Sequence, residues 1–149
     1  MSAEFMRSIA EDRTERHHVR EIARLGGIAT TQDLRSFGLD DEMIRISVRY
    51  GALIRLRHGW YALPQLDREA ALACVLGGRL ACRSALRHLG LGGAETDGRL
   101  HIEVPGNAVS RVPVELRAAV RVHWARNASG GDRASVDAQA ALRQAERCR

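Results

Sequence analysis

Residues 28–63 read IATTQDLRSFGLDDEMIRISVRYGALIRLRHGWYAL, and this stretch decides the fold of the chain. It predicts two short helices, over residues 32–37 and 40–50, because polar residues that cap helices open each one and a glycine follows each one. Apolar residues then alternate with arginines up to a turn at Gly59, and the apolar run 60–63 follows it. This pattern predicts a two-stranded hairpin.

A further helix is predicted before this stretch. Apolar residues at i, i+3 and i+4 share one face over residues 17–25, and a pair of glycines ends the segment. The resulting order of helix, helix, tight turn, helix and hairpin makes residues 17–64 a winged helix-turn-helix. Residues 1–16 are predicted to form a polar N-terminal arm.

The next region, residues 65–126, is predicted to be a small α+β unit that packs on the winged one. Helical patterns over 67–76 and 83–89 precede two stretches, 100–104 and 120–124, that alternate with period 2. Such alternation predicts strands with one buried face each. A third alternating piece, 112–116, contains Pro113, which predicts an edge or a linker rather than a paired strand.

The tail, residues 127–149, is predicted to be a linker and a weak helix, because its apolar face offers little besides Val136, Leu142 and alanines. We therefore expect it to be the least ordered part of the chain and dispensable for DNA binding. The fold class predicted for the whole chain is α+β, with an N-terminal winged helix-turn-helix followed by a small α+β region.

Charge and cysteine content narrow the functional class. The chain has a net charge of +5 and a pI of about 10.0, and all 23 of its basic residues are arginine. Such a balance fits a nucleic-acid partner. No pair among Cys74, Cys82 and Cys148 has the C-x-x-C spacing of a zinc site, so no metal and no cofactor is expected. The absence of a transmembrane-length apolar run or a signal region predicts a cytoplasmic protein with no membrane partner.

The candidate binding surface lies between Met43 and Leu66, where no Asp or Glu occurs. Arg45 and Arg49 are four residues apart on the predicted third helix, which is the helix that such folds place in the major groove. Arg55 and Arg57 lie on the hairpin, which corresponds to the wing that contacts phosphates or the minor groove. Taken singly, each arginine is explained more simply by a solvated surface, and only the coincidence of charge, element order and basic wing favours DNA.

The stretch "VREIARLGGIATTQDLRSFGLDDEMIRISVRYGALIRLRHGWYAL", residues 19–63, resembles the winged-helix domain of AbiEi-type antitoxins and transcriptional regulators. "RSALRHLGL", "LHIEVP" and "VRVHWAR" extend the resemblance over most of residues 19–126. The resemblance implies double-stranded DNA binding, repression of the protein's own operon, and a possible cognate toxin as partner. By position it implies contacts from the third helix and the wing. The candidate DNA-binding residues, with Thr31 added from the start of the second helix, are Thr31, Arg45, Ile46, Ser47, Arg49, Arg55, Arg57 and His58.

Two other hypotheses stay open at this point. The protein could be an interaction module that neutralises a toxin, or it could be the DNA-targeting fragment of a Vsr-like endonuclease. The endonuclease domain of longer relatives is expected to be absent, and a homodimer is possible. No catalytic set is predicted, because the chain has no Lys for an Asp…Glu-x-Lys site and no G-x-S-x-G elbow surrounds Ser84. Ser84, His88 and Asp97 form a triad only on paper, so we expect no enzymatic activity.

Overall fold

The computed structural model describes residues 2–92, 97–127 and 129–148. Residues 93–96 of the predicted α+β region and residue 128 of the predicted linker therefore lie outside the described residues. The chain divides into two compact units, Met1–Gln65 and Leu66–Arg149. Among the described helices, none has both the length and the apolar character needed to span a membrane.

The first unit is a winged helix-turn-helix. A three-stranded antiparallel sheet, in the order β1-β3-β2, holds the hairpin against the helices. Its elements are α1 (Ala3–Arg24), β1 (Ile28–Thr30), α2 (Thr31–Ser36), α3 (Asp41–Arg49), β2 (Ile54–Arg57) and β3 (Trp60–Ala62). The predicted helices after residue 30 lie within one or two residues of these bounds. The start predicted for the first helix, residue 17, is wrong, since α1 begins at Ala3 and so includes most of the predicted polar arm.

One apolar cluster holds this unit together. Each buried Leu or Ile in it contributes about 1.5–3 kcal/mol relative to an exposed position. The apolar periodicity of the three helices accounts for half of this cluster, because α1, α2 and α3 each direct one buried residue into it. The buried members are Ile22, Ala29, Leu34, Leu39, Ile44 and Leu53.

The second unit is a mixed α/β arrangement in which the central strand is covered on both faces. The sheet order is β4-β5-β6, with β4 antiparallel and β6 parallel to β5. Its elements are α4 (Arg68–Val75), β4 (Arg79–Leu80), α5 (Cys82–His88), β5 (Leu100–Pro105), a 3₁₀ turn (Val114–Leu116), β6 (Val120–Ala125) and α6 (Ala138–Arg147). The parallel pair requires a crossover, which residues 106–119 supply.

Two expectations for this unit are wrong. Strand β5 was expected to bury one face, yet His101 and Glu103 are buried as well as Ile102 and Val104. The tail was expected to be loosely held. Instead Ala134 and Val136 are fully buried, and their backbones bond to Leu80 of β4. The weak apolar face seen in the sequence is enough because α6 packs against α5, where its small alanines allow a close approach.

Candidate nucleic-acid interface

Helix α3 is fixed at its start and along its inner face. The Asp40 carboxylate accepts a hydrogen bond from the Met43 backbone N–H at 2.8 Å, which satisfies a donor that the helix itself leaves unpaired. Ile44 is buried in the cluster, and Val48, one turn later, packs against it. The remaining faces of the helix are thus directed away from the core.

The outward face of α3 is basic. Arg45 and Arg49 are exposed, and neither forms an ion pair within the part of the chain that the structure describes. Arg49 lies over the ring of Tyr50, with 6.0 Å between the guanidinium carbon and the ring centroid. Ile46, 48% exposed, stands beside them as an apolar surface residue. The helix therefore presents two unneutralised guanidinium groups and one aliphatic side chain to solvent.

Ser47 has a different environment. Its hydroxyl donates a hydrogen bond to the Met43 carbonyl at 2.8 Å, so its proton is used inside the helix. The Ser47 carbonyl also accepts hydrogen bonds from the N–H groups of Ala52 and Leu53. Ser47 thus joins α3 to the segment that leads into the hairpin. Because its hydroxyl proton is already used, the hydroxyl oxygen can only accept a hydrogen bond from an outside group.

The hairpin carries the second group of candidate residues. The Arg57 guanidinium stacks over Trp60 at 4.4 Å, a cation–π contact that orients it. An Arg55 guanidinium nitrogen lies 3.2 Å from His58 Nδ1. A bulge in the pairing of β2 with β3 lies between Arg55 and Arg57 and changes the direction of the strand there.

Thr31 holds the wing in place. It is the first residue of α2, and its backbone N–H donates to the carbonyl of Gly59 at the hairpin turn, at 3.0 Å. Gly59 has φ of +77°, a conformation that favours glycine. The helix cap itself is Thr30, whose hydroxyl accepts from Asp33 N–H while the Asp33 carboxylate accepts from Thr30 N–H. Thr31 thus has a structural contact that sequence reasoning did not foresee.

The acidic residues that open α3 are largely engaged. Asp40 caps the helix, and the Asp41 carboxylate pairs with the Arg35 guanidinium at 2.9 Å. Of the three acids at this end, Glu42 is the one left on an exposed position without such a contact among the described residues. The repulsion toward phosphates that these acids would cause is therefore reduced.

The triad that could be written from the sequence is not assembled. Ser84 is fully buried, and its Oγ accepts a hydrogen bond from the His101 backbone N–H at 2.9 Å. His88 lies 3.5 Å from Asp67, and Asp97 is bonded to the His101 ring. Ser84 and Asp97 thus share His101 as a partner, through its backbone and its ring respectively, while His88 is held by Asp67.

Sequence reasoning missed one cluster altogether. Cys82, His101, His123 and Cys148 come together in the second unit, as the one group among the described residues with the composition to hold a metal ion. Their separation along the chain hid them, because no two have the spacing of a zinc motif. The available signal was weak. His101 lies in β5, on the face of that strand that was wrongly expected to be exposed.

Burial sets the ionisation of this cluster. It lowers the pKa of His123 to about 4, helped by the neighbouring His101, so the His123 imidazole is neutral at physiological pH. Burial also raises the pKa of the Cys82 thiol to about 11. At the neighbouring Asp97, burial acts to raise the pKa of the carboxyl group. Hydrogen bonds from the His101 ring and the Arg99 backbone outweigh it and hold that pKa below its ordinary value.

Residues 19–64 match the model of a family described as transcriptional regulator, AbiEi antitoxin. This segment is similar to that family. It lies within the winged unit and contains α3 and the wing. The chain is also similar to a solved structure, the RV2827C protein from Mycobacterium tuberculosis, at 27% identity and a TM-score of 0.39, over 76% of this chain and 45% of that one. The chain thus spans less than half the length of that protein. No curated protein matches the sequence at a significant level.

Proposed function

We propose that the winged unit binds double-stranded DNA in a sequence-specific manner and that the protein acts as a cytoplasmic transcriptional regulator or antitoxin rather than as an enzyme. The observation that carries the proposal is the basic surface that the later part of α3 shares with the wing, within the stretch from Met43 to Leu66 where no Asp or Glu occurs. Arg45 and Arg49 are exposed on the one, and Arg55 and His58 on the other. The family that matches residues 19–64 is described in the same terms.

The dimensions of α3 suit the major groove. Its nine residues span about 14 Å, and the groove is about 12 Å wide. Arg45 and Arg49, four residues apart, are separated by about 6 Å along the axis, close to two base-pair steps of about 3.4 Å. Each can therefore contact a different base pair through the guanine edge, which arginine binds with two hydrogen bonds. Ile46 between them offers an aliphatic contact for a thymine methyl.

The wing supplies contacts that do not depend on sequence. Arg57, held by Trp60, and Arg55 with its neighbour His58 suit phosphate oxygens or the narrow minor groove. Thr31 and Ser47 complete the proposed set. Thr31 fixes the wing turn relative to α2, while Ser47 offers an acceptor beside the groove face.

A genome-fragment binding selection with the purified full chain tests this function. The wild type is expected to enrich one motif, and a palindromic motif would indicate a homodimer. The variant Arg45→Ala/Arg49→Ala is expected to enrich none. The matched control, Arg87→Ala/Arg117→Ala, removes two charges from the second unit and is expected to enrich the wild-type motif. Failure of the wild type to enrich any motif, or enrichment of the same motif by the α3 variant, would contradict the proposal.

Neutralisation of a toxin is a second candidate, favoured by exposed apolar residues on the second unit. Val109 is 83% exposed and Val114 is 70% exposed, both in the crossover between β5 and β6. Co-purification with the product of the adjacent gene tests it. A complex that survives high salt and is lost in Val109→Asp/Val114→Asp supports this role, and its absence from the wild type excludes that partner.

A further inference from the structure

Four metal-binding side chains meet in the second unit although they come from four separate segments. Cys82 begins α5, His101 lies in β5, His123 lies in β6 and Cys148 directly follows α6. One ligand atom of each lies within 4.8 Å of those of all the others. Cys82 and His101 are fully buried, and Cys148 is 7% exposed. The cluster therefore lies largely in the interior, with His123 half-buried at its edge.

The backbone brings these residues together through specific hydrogen bonds. In the parallel pair of β5 and β6, Glu103 lies opposite His123, so His101 and His123 share one face of the sheet. The Ala81 N–H donates to the His101 carbonyl at 3.0 Å, which places the neighbouring Cys82 beside that histidine.

Helix α6 brings the fourth residue. The side-chain carbonyl of Gln144 accepts from Cys82 N–H at 2.9 Å, while its amide donates to the Glu103 carboxylate at 3.0 Å. These two bonds fix the end of α6 over the same face of the sheet. Cys148, one turn further, then has its Sγ 3.8 Å from His101 Nδ1.

The separations are close to those of tetrahedral ligands. Bond lengths of about 2.0–2.1 Å for Zn–N and 2.3 Å for Zn–S require ligand atoms about 3.3–3.8 Å apart. His101 Nδ1 lies 3.0 Å from His123 Nε2 and 3.8 Å from Cys148 Sγ. Small movements of the side chains are sufficient to bring all four atoms to a common centre.

The orientation of His101 has the form expected of a metal ligand. Its Nε2 lies 2.9 Å and 3.0 Å from the two carboxylate oxygens of Asp97. A carboxylate accepts a proton at that position, so Nε2 carries the hydrogen and Nδ1 directs its lone pair into the cluster. Histidine ligands of zinc are commonly held in this way by a carboxylate on the far nitrogen.

We propose that Cys82, His101, His123 and Cys148 bind one Zn²⁺ ion. Two thiolates with two imidazoles in a tetrahedral arrangement select zinc over the hard cations, which prefer oxygen. Four protein ligands leave no position for water, so the site is structural rather than catalytic. The ion joins the segment after α6 to α5 and to both parallel strands, so the tail becomes part of the folded unit. This inference is independent of DNA binding by the first unit.

Cobalt titration of the reduced, chelator-stripped full chain tests the site. We expect intense visible bands of tetrahedral Co²⁺ with a thiolate-to-cobalt charge-transfer band, saturating at one ion per chain. One equivalent of Zn²⁺ is expected to abolish them. Weak octahedral spectra, or no saturation at one equivalent, would overturn the proposal. The proposal would also be overturned if intact mass showed a Cys82–Cys148 disulfide and the chain took up no zinc after that disulfide was reduced.

Matched serine variants assign the ligands. Cys82→Ser and Cys148→Ser are expected to lose stoichiometric zinc. Cys74→Ser, which changes a buried cysteine of α4 outside the cluster, is expected to retain one ion per chain. Equal zinc content in Cys82→Ser and Cys74→Ser would contradict the assignment. If the ligand variants fail to fold, the wild-type cobalt spectrum still decides the matter.

Asp97 is a positioning residue in this account, and its variant gives a graded readout. Asp97→Asn leaves all four ligands in place but weakens the hold on the His101 ring. We expect zinc affinity to fall by about 10–100-fold, measured by competition with a chromophoric chelator. The cobalt spectrum is expected to remain tetrahedral. Unchanged affinity would show that the Asp97–His101 contact does not serve a metal.

Discussion

A buried ion pair in the second unit gives a prediction of large magnitude. The Glu103 side chain is 6% exposed, and both Nε and Nη2 of Arg79 donate to its Oε2, at 3.1 and 2.9 Å. The same guanidinium donates to the carbonyls of Ser129 and Asp132, so it also holds the segment before α6. Replacing Arg79 by Met keeps much of the side-chain volume but removes all four hydrogen bonds.

The expected loss of unfolding free energy follows from the carboxylate that Arg79→Met leaves in place. Among the described residues, Glu103 then keeps Ser129 and Gln144 as donors to its carboxylate, at 2.7 and 3.0 Å, and its charge is left unpaired in the interior. Removing one partner of a buried pair costs about 3–5 kcal/mol. The control is Arg87→Met, whose partner Glu69 is 43% exposed, because such a surface pair is worth at most about 1 kcal/mol.

Urea unfolding measures both variants. Trp60→Phe is the common background, so that Trp124 of β6 alone reports on the second unit, and the buffer has one fixed zinc content. Adding Glu103→Gln to Arg79→Met is expected to recover part of the loss, because no unpaired charge then remains. Equal free energies of unfolding for Arg79→Met and Arg87→Met would refute the reasoning.

Three further outcomes are expected. Arg45→Ala and Arg49→Ala should each lose about 1–3 kcal/mol of discrimination between the selected site and random duplexes. Arg55→Ala should instead weaken binding to the selected site and to random duplexes alike. If competition binding shows the same loss of discrimination for all three variants, the division between helix and wing is contradicted. A chain ending at Arg126 should lose the cooperative thermal transition of the second unit, because the deleted tail is buried; an unchanged Tm would show the tail to be dispensable. Asp40→Ala, in a Trp124→Phe background, should lower the unfolding free energy of the first unit by about 1 kcal/mol, followed by Trp60 fluorescence; no change would mean that the hydrogen bond from Met43 N–H to Asp40 contributes nothing.

The winged unit could be predicted from the sequence because its signals are local. Asp40 was predicted to be the N-cap of α3 and is so. The glycine turn at Gly59 and the apolar residues around it predicted the hairpin. Each of these signals acts over three to five residues, which is the range over which caps and turns determine the backbone.

The second unit was predicted less well because its contacts join distant segments. The side chains of His101 and Glu103 alternate with apolar residues, which suggested a solvent-facing side of β5. Their burial depends on α6, some 40 residues later, whose Gln144 bonds Glu103. The metal cluster depends on the same packing, so no spacing rule could reveal it. The residues proposed to bind DNA were identified from charge and element order, and their role stays a prediction.

The salt dependence of binding to the selected duplex tests the central claim most directly. Fluorescence anisotropy of the purified full chain measures the affinity over a series of salt concentrations. With about four phosphates neutralised by the arginines of α3 and the wing, the logarithm of the association constant should fall against the logarithm of the salt concentration with a slope near −3.6. A slope near zero, or no binding to any duplex at low salt, would contradict the assignment of this surface to DNA.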